Sequence, residues 1–533
     1  MRFFYIILLS LIPFLLWSNI DKRISSIIKA SKPYDALEQL EIIKNEVSKN
    51  KNSISLFKVN NAIADCYTDL GLYHKSLSLL KQNLKELQVS KIKQYEIIAD
   101  THLMMAHNYD FLFMHDHYLE HTQEYYNTIR KAYPNKPIYK ALYYAYLSRY
   151  YNIKFEIDKA NYYSSNALNI YHKNKVQSKR ITIYKLYAAH LFTIRNTKSP
   201  YKEKFKYLDT LNYFLEKEIP ENSVKKANQI VSNASLNFDI AYNSFCGAYH
   251  GNPNFNKKQA FTLYNKALKM LENLVGPNHN ISVRIHSFKL LLYYASKDYK
   301  SALIECNKAI QKLTDSELLS YGFSSNNYFL INQLRLKNRI LNMMNSNNDL
   351  NTQKAIIRNL ELLEKIWNRY FQDQIHNSED FMTNMYNEPP YSLFFDSYLK
   401  LYQGTKNKIY LEKIHEYDEK SKYNALLNTF FVTSRENKEK ALLYDKRQSI
   451  YQLYDSYVFF KNQKDKNTSK VYESLRKLIE DYDLFEKNKT LNQNSNITSL
   501  QKIQEKMSSQ DAVITFIKND LLDKTVNHQQ KVD

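Results

Sequence analysis

The chain has 533 residues but only 6 Gly and 10 Pro, roughly a quarter of what an average chain of this length carries. Gly supplies the positive φ of turns and the close backbone approach of phosphate loops, and Pro punctuates strands and loops; so little of either excludes sandwiches, propellers and dinucleotide folds and implies helix. The net charge of +21, from 75 Lys and Arg against 54 Asp and Glu, comes with 46 Tyr and many Asn, the composition of an AT-rich genome, and bears on solubility and association, not on fold.

In chain order, Met1-Arg2 precedes an uncharged apolar run, residues 3–17, with Pro13 inside it. Fifteen residues are short for a bilayer span but suit the core of a secretory signal, with Ser18 before the cleavage point and Leu16 departing from the small residue preferred there. Residues 1–18 are therefore expected to be a signal peptide, or an anchor if uncleaved, and the rest an exported chain of the periplasm or cell envelope. No Cys follows the run, which excludes a lipoprotein anchor, and no later stretch reaches 18 uncharged apolar residues. Cys66, Cys246 and Cys306 are odd in number, far apart and set in helical patterns. They read as small buried hydrophobes, not as a disulfide framework or metal site.

A repeat follows. Ala64, Tyr67, Gly71, Tyr73, Ser76 and Leu80 set the pattern, and Ser148, Tyr151, Ala160, Ala167 and Leu168 carry it again. The clearest copies are Ala260, Tyr264, Ala267 and Leu268, then, 42 residues on, Ala302, Cys306, Ala309 and Ile310. Between them lie Leu274-Val275-Gly276-Pro277-Asn278-His279 and a second-helix start at Asp298-Tyr299-Lys300-Ser301-Ala302. A small residue on the second helix lets two antiparallel helices approach, a Tyr or Phe fills the gap to the next pair, and Gly-Pro ends the unit. This resembles the tetratricopeptide repeat, and the 42-residue spacing resembles the longer repeats of kinesin light chains and related bacterial arrays. Residues 97–134 and 181–220 are expected to hold degenerate copies, and residues 19–346 to form an α-solenoid in which each unit needs its neighbours to bury its second face.

The second half changes texture. Residues 329–372 form two long amphipathic helices, and Pro389-Pro390 is the clearest break. Helices are expected at 391–403 and 407–430, then as charged, heptad-like segments forming a long hairpin to about 488. Residues 347–488 are thus the C-terminal helical region of the array. An Asn-rich linker, 487–496, leads to a short helix, 500–507, and to Asp511-Ala512-Val513-Ile514-Thr515-Phe516-Ile517, the one convincing strand.

With Leu334-Arg335-Leu336-Lys337 closing the array, the segment from Tyr410 to Lys422, the hairpin, and Ser499-Leu500-Gln501-Lys502-Ile503-Gln504 before the strand, residues 50–517 resemble the CHAT family. In that family tetratricopeptide repeats precede a caspase-like peptidase domain. The resemblance implies that residues 489–533 are a linker and the vestigial opening of such a domain. It also implies a His–Cys dyad beyond the first strand, but the last Cys is Cys306 and the last His is His528. No position receives the dyad, so the chain is read as not an enzyme.

Other chemistry is weighed the same way. His115-Asp116-His117, with Glu120 and His121 behind, puts His117 and His121 on one helix face. Without an HExxH motif or a third ligand, the cluster reads as a solvated face and no metal is expected. Tyr143, Tyr144, Tyr146, Tyr150 and Tyr151 fall on a helical grid and read mainly as interhelix packing, with a groove lining or nucleic-acid stacking as lesser readings. The six Gly form neither GxGxxG nor GxxxxGK, and no GxSxG occurs. No catalytic, cofactor-binding or metal residue is assigned, no cofactor, and no nucleic-acid partner.

The sequence thus predicts an all-α fold: a tetratricopeptide-type solenoid, a long helical hairpin and one orphan C-terminal strand. The expected function is a non-enzymatic protein-interaction scaffold of the cell envelope that takes a protein or peptide in its groove. The alternative is the regulatory half of a split or truncated CHAT-type peptidase, whose separately encoded caspase-like domain would be the partner. Membrane contact is expected only if residues 3–17 remain attached.

Overall fold

The 42-residue register becomes rows of paired helices. This computed structural model describes residues 20–28, 32–49, 53–90, 94–154, 156–174, 180–195, 257–345, 349–375, 391–418 and 438–493, with scattered residues between 203 and 231. Among the described residues every regular element is a helix; the expected signal, the short helix 500–507 and the strand 511–517 lie outside them. The chain forms two compact units: residues 1–234, 263–279 and 458–464 in unit 1, and residues 235–262, 280–457 and 465–533 in unit 2.

Unit 1 contains α1 (20–28), α2 (Pro33–Lys49), α3 (Ser53–Asp69), α4 (Tyr73–Val89), α5 (Tyr95–Phe111), α6 (His115–Ala132), α7 (Pro137–Ile153), α8 (Ile157–Asn174) and α9 (Arg180–Arg195). It also takes the later part of α10 (Lys257–Val275). The first helices α3, α5 and α7 start 42 residues apart, as do their partners α4, α6 and α8. From α2 to α9 each helix packs on the next, and α3 also meets α5, as α7 meets α9. The repeat is therefore present at 95–132, where its signature is hardest to read. Small residues allow the close approach: Ala64, Ser76, Ala99, Ala106, Ala141, Ala160 and Ala167 are all fully buried.

Scarce Gly does not remove the left-handed conformation that the hairpin turns need. Gly71 adopts φ +77° between α3 and α4, and 42 residues later Phe113 adopts +59° between α5 and α6. An L-residue with a Cβ pays about 1–2 kcal/mol there, so the packing of each helix pair holds the turn against its own local preference.

Unit 2 contains α11 (Asn280–Ala295), α12 (Tyr299–Leu313), the short α13 (Ser316–Ser320), α14 (Asn327–Met344), α15 (Leu350–Ile375), α16 (Tyr391–Thr405) and α17 (409–418). A hairpin of α18 (Lys438–Gln463) and α19 (Thr468–Gln493) follows, with residues 458–464 at its turn belonging to unit 1. Asp298 caps α12 by accepting a hydrogen bond from the Ser301 N–H at 3.1 Å. The small face foreseen on this helix, Ala302, Cys306 and Ala309, is fully buried against a core of Leu330, Leu334, Leu360, Ile366, Trp367 and Phe394. The Phe394 ring stacks on Tyr417 with centroids 3.9 Å apart. One expectation needs correcting: α19 continues to Gln493, into the segment expected to be a linker from residue 487, because no Gly or Pro stops it and its two Lys, Leu and Gln offset the weaker preference of two Asn and Thr.

Candidate ligand-binding face

In unit 1 the first helices are tied to one another by a ladder of small polar side chains. Asn61 Nδ2 donates to Thr101 Oγ1 at 3.0 Å, and Asn83 Nδ2 reaches Asn61 Oδ1 at 2.8 Å. Farther along the same helices Thr68 Oγ1 donates to Asn108 Oδ1 at 3.0 Å, and Asn108 Nδ2 donates to Ser76 Oγ at 3.0 Å. The step from α7 to α9 repeats the arrangement: Asn152 Nδ2 donates to Thr193 Oγ1 at 2.7 Å, and the Ser148 and Thr193 hydroxyls are 2.9 Å apart. Asn83, Thr101, Asn108, Ser148 and Thr193 are fully buried. Each rung contributes modestly when made, about 0.5–1.5 kcal/mol, and costs more when half broken, so the ladder sets the register between repeats.

The first helices also carry a row of charged and aromatic side chains, in which Arg149 is about half exposed and Asp110 largely covered. The Arg149 guanidinium grips Asp110 with Nη2 at 2.7 Å from Oδ2 and Nε at 3.0 Å from Oδ1, and lies 6.0 Å over the Phe192 ring. Three successive first helices, α5, α7 and α9, are thus linked on one side, with Arg149 about half exposed. Lys185 Nζ donates to the Tyr146 hydroxyl at 3.2 Å, and His107 packs edge-on against the Tyr146 ring at 6.0 Å. A fork-shaped cation, a carboxylate, an imidazole and a phenyl ring in one row can hold the polar backbone and side chains of an extended peptide, each helix contributing a fixed contact. None of these contacts was legible in the sequence: Asp110 and Arg149 are 39 positions apart with no local motif.

The histidine cluster is not the solvated face expected. His121 lies against His102 of α5 with their Nδ1 atoms 2.9 Å apart, and the Tyr109 ring stacks on both His117 and His121. The 42-residue register explains this, because it turns that face of α6 onto α5. Burial first, and then the neighbouring His102, hold the His121 imidazole down to about 3. Burial likewise takes His115 to about 4 and lowers His102. Among the described residues no group of three or more His, Cys, Asp or Glu side chains could hold a metal ion.

The tyrosines pack between helices as the spacing implied. Tyr143 stacks on Tyr126 of α6 at 4.4 Å, and Tyr151 stacks on Tyr163 of α8 at 5.4 Å, while Tyr146 and Tyr150 are buried. Cys66 and Cys306 are buried free thiols, and Cys246 lies outside the described residues. No helix among the described residues is long and apolar enough to cross a membrane.

No protein-family model matches the chain, and no curated protein matches it. Among solved structures it is similar to the apo form of RapI at 12% identity and a TM-score of 0.36, over 56% of this chain and 97% of that one. It is similar to a Rap protein complexed with competence and sporulation factor at 12% and 0.44, over 76% and 97%. A third likeness, to BtubC (BKLC) from P. vanneervenii, is at 12% and 0.17, over 64% and 90%. All three TM-scores lie below 0.5, so the tetratricopeptide-like description rests on the helix pairs, their 42-residue spacing and their small-residue contacts.

Proposed function

We propose that the chain is a non-enzymatic protein-interaction scaffold of the cell envelope, which takes an extended protein segment along the first helices of unit 1. The observation that carries this reading is the row Asp110–Arg149–Phe192, which links three successive first helices around the half-exposed Arg149 beside the buried ladder. The apolar run at residues 3–17 supports export, and the +21 charge supports an acidic partner or an anionic envelope surface. The test is site-specific photo-crosslinking in the full chain. A photoreactive residue at Phe192 should trap a discrete partner, one at the exposed Tyr162 of α8 should not, and Arg149→Glu should abolish the Phe192 adduct while leaving helix content unchanged. Equal adducts from both positions would refute the row as the site. Binding should also weaken with rising salt.

The resemblance to CHAT-family proteins supports a second reading, the regulatory half of a split peptidase, in which residues 511–517 add as an edge strand to a separately encoded caspase-like domain. A long α18–α19 hairpin placed before that segment agrees with the order of elements the resemblance implies. Reading the DNA downstream of the coding region decides it: an open frame supplying a sheet, a His and a Cys supports the split enzyme, and unrelated sequence removes it.

A further inference from the structure

The connection between α12 and α14 is 13 residues long, 314–326, whereas those between α4 and α5 and between α6 and α7 are five and four. This insert is folded around Gly322, at φ +74°, where a Cβ would stand 3.3 Å from Ile366 and 3.4 Å from the Arg369 guanidinium. With Leu313 before it and α15 beside it, the insert forms a seat for the hairpin. The Tyr454 hydroxyl donates to Leu313 O at 3.2 Å, Tyr457 to Asp315 at 2.5 Å, and Tyr472 to Glu317 at 2.6 Å. Tyr321 donates to Glu480 at 3.3 Å. From α15, Asp373 accepts from Arg447 Nε at 2.6 Å and from the Tyr451 hydroxyl at 3.0 Å. Arg369, which also donates to Tyr321 O, pairs with Asp483 at 2.9 Å and with Glu486, and lies 4.5 Å over the Phe323 ring.

Arg369, Arg447 and Asp373 are at most 5% exposed. Charges buried so deeply gain little over an apolar contact of the same shape, because desolvation offsets their attraction. They differ from an apolar contact in what happens on separation. When the hairpin leaves its seat, Arg447 and Asp373 both return to water, as do Arg369, Asp483 and Glu486. Neither side is then left with a lone buried charge, and every phenol hydroxyl finds water instead. The helix pairs of unit 2 keep their own apolar core, centred on Leu330, Leu360, Ile366 and Trp367.

We propose that α18–α19 is a releasable arm: residues 313–323 together with Arg369 and Asp373 seat it through phenol hydroxyls, paired charges and the apolar contact of the Phe323 ring with Tyr451 and Tyr482, so that it leaves unit 2 without unfolding the helix pairs beneath. Rising ionic strength favours the released state, in which more charge faces solvent, with the Debye length falling from about 10 Å at 0.1 M to about 3 Å at 1 M.

The test is pulsed electron–electron distance measurement on the full chain, with Cys66, Cys246 and Cys306 replaced by Ala and spin labels at the exposed Gln311 of α12 and Ser474 of α19. Between about 0.05 M and about 1 M NaCl a second, longer distance should grow at least about threefold, while Trp367 fluorescence stays constant. In Asp373→Leu/Arg447→Met, where an apolar contact replaces the pair, that growth should fall at least about threefold. A single unchanged distance at both salts overturns the proposal. So does a long distance that the double variant leaves untouched, and so does release accompanied by loss of the Trp367 signal.

Discussion

The two units differ in the polar groups they bury. Unit 2 adds deeply buried ion pairs to neutral pairs such as Gln333 Nε2–Ser287 Oγ at 2.7 Å, whereas the inter-helix ladder of unit 1 is neutral. Unit 1 uses neutral ones: amides and hydroxyls from Asn61 to Thr193 pair across neighbouring first helices, and its buried imidazoles are held uncharged. Unit 2 uses ions, with Arg369 and Arg447 sunk beside Asp373, Asp483 and Glu486, and Glu305 beside His286. Burial alone would raise Glu305, but hydrogen bonds from His286 and Lys308 and the Lys289 charge bring it down to about 2. Neutral rungs fix register and do not titrate; the buried imidazoles of the same unit answer to protons, and the paired ions of unit 2 fix orientation and answer to salt. The same helix-pair architecture therefore acquires two different sensitivities from its polar residues.

The largest expected effect breaks the ionic side of this contrast. Arg447→Met alone leaves Asp373 without its partner in the seated state and should cost roughly 3–5 kcal/mol of hairpin seating, read as growth of the longer Gln311–Ser474 distance already at low salt. Adding Asp373→Leu should restore most of the seating. A single variant with the parent's distance distribution would mean that the pair is not closed in solution.

Next in size is the proton response of unit 1. Burial lowers His279, which is hydrogen-bonded to Asp69 O, to about 4. A histidine depressed in the folded state is neutral there, so the unfolded chain binds more protons. The stability it protects is complete above about pH 6.5 and is lost as pH falls from there toward 4. At one kcal-scale step of about 1.4 kcal/mol per pH unit, roughly 2–3 kcal/mol should be gone by about pH 4.5. Hydrogen exchange should show α3 and α4 opening before α11 and α12 as pH drops, and simultaneous opening would erase the distinction between the units.

Asn108→Ala should cost about 0.5–1.5 kcal/mol by removing its bonds to the Thr68 and Ser76 hydroxyls, which keep Ala64 O as acceptor, measurable as faster exchange in α3 and α5. The smallest effect has the opposite sign. Lys297 sits in the α11–α12 turn at φ +59°, and Lys297→Gly should stabilise unit 2 by up to about 1 kcal/mol, raising its melting temperature slightly.

Much of the fold was legible because it is local. The Ala302, Cys306 and Ala309 face, the helix start at residues 298–302 and the Gly276-Pro277 turn are short-range signals, and each stands where the spacing put it. The copy expected to be degenerate at 97–134 lacks the signature residues; Tyr118 and Tyr125 stand where other copies have small residues, and neighbours accommodate them, which no single-helix pattern reveals. The histidines of α6 were misplaced for the same reason, since α6 by itself does not say which helix covers it.

The amino-acid sequence by itself determined an all-helical chain with a 42-residue register, because helix periodicity, small-residue spacing and the shortage of Gly and Pro act within a few turns of backbone. Tertiary structure alone decided which polar groups meet. Arg149 finds Asp110 across 39 residues, Arg447 finds Asp373 across 74, and Arg369 finds Glu486 across 117. Charge attraction has no preferred sequence separation, so such pairs leave no periodic trace and exist only once the packing of the helices has brought them within reach.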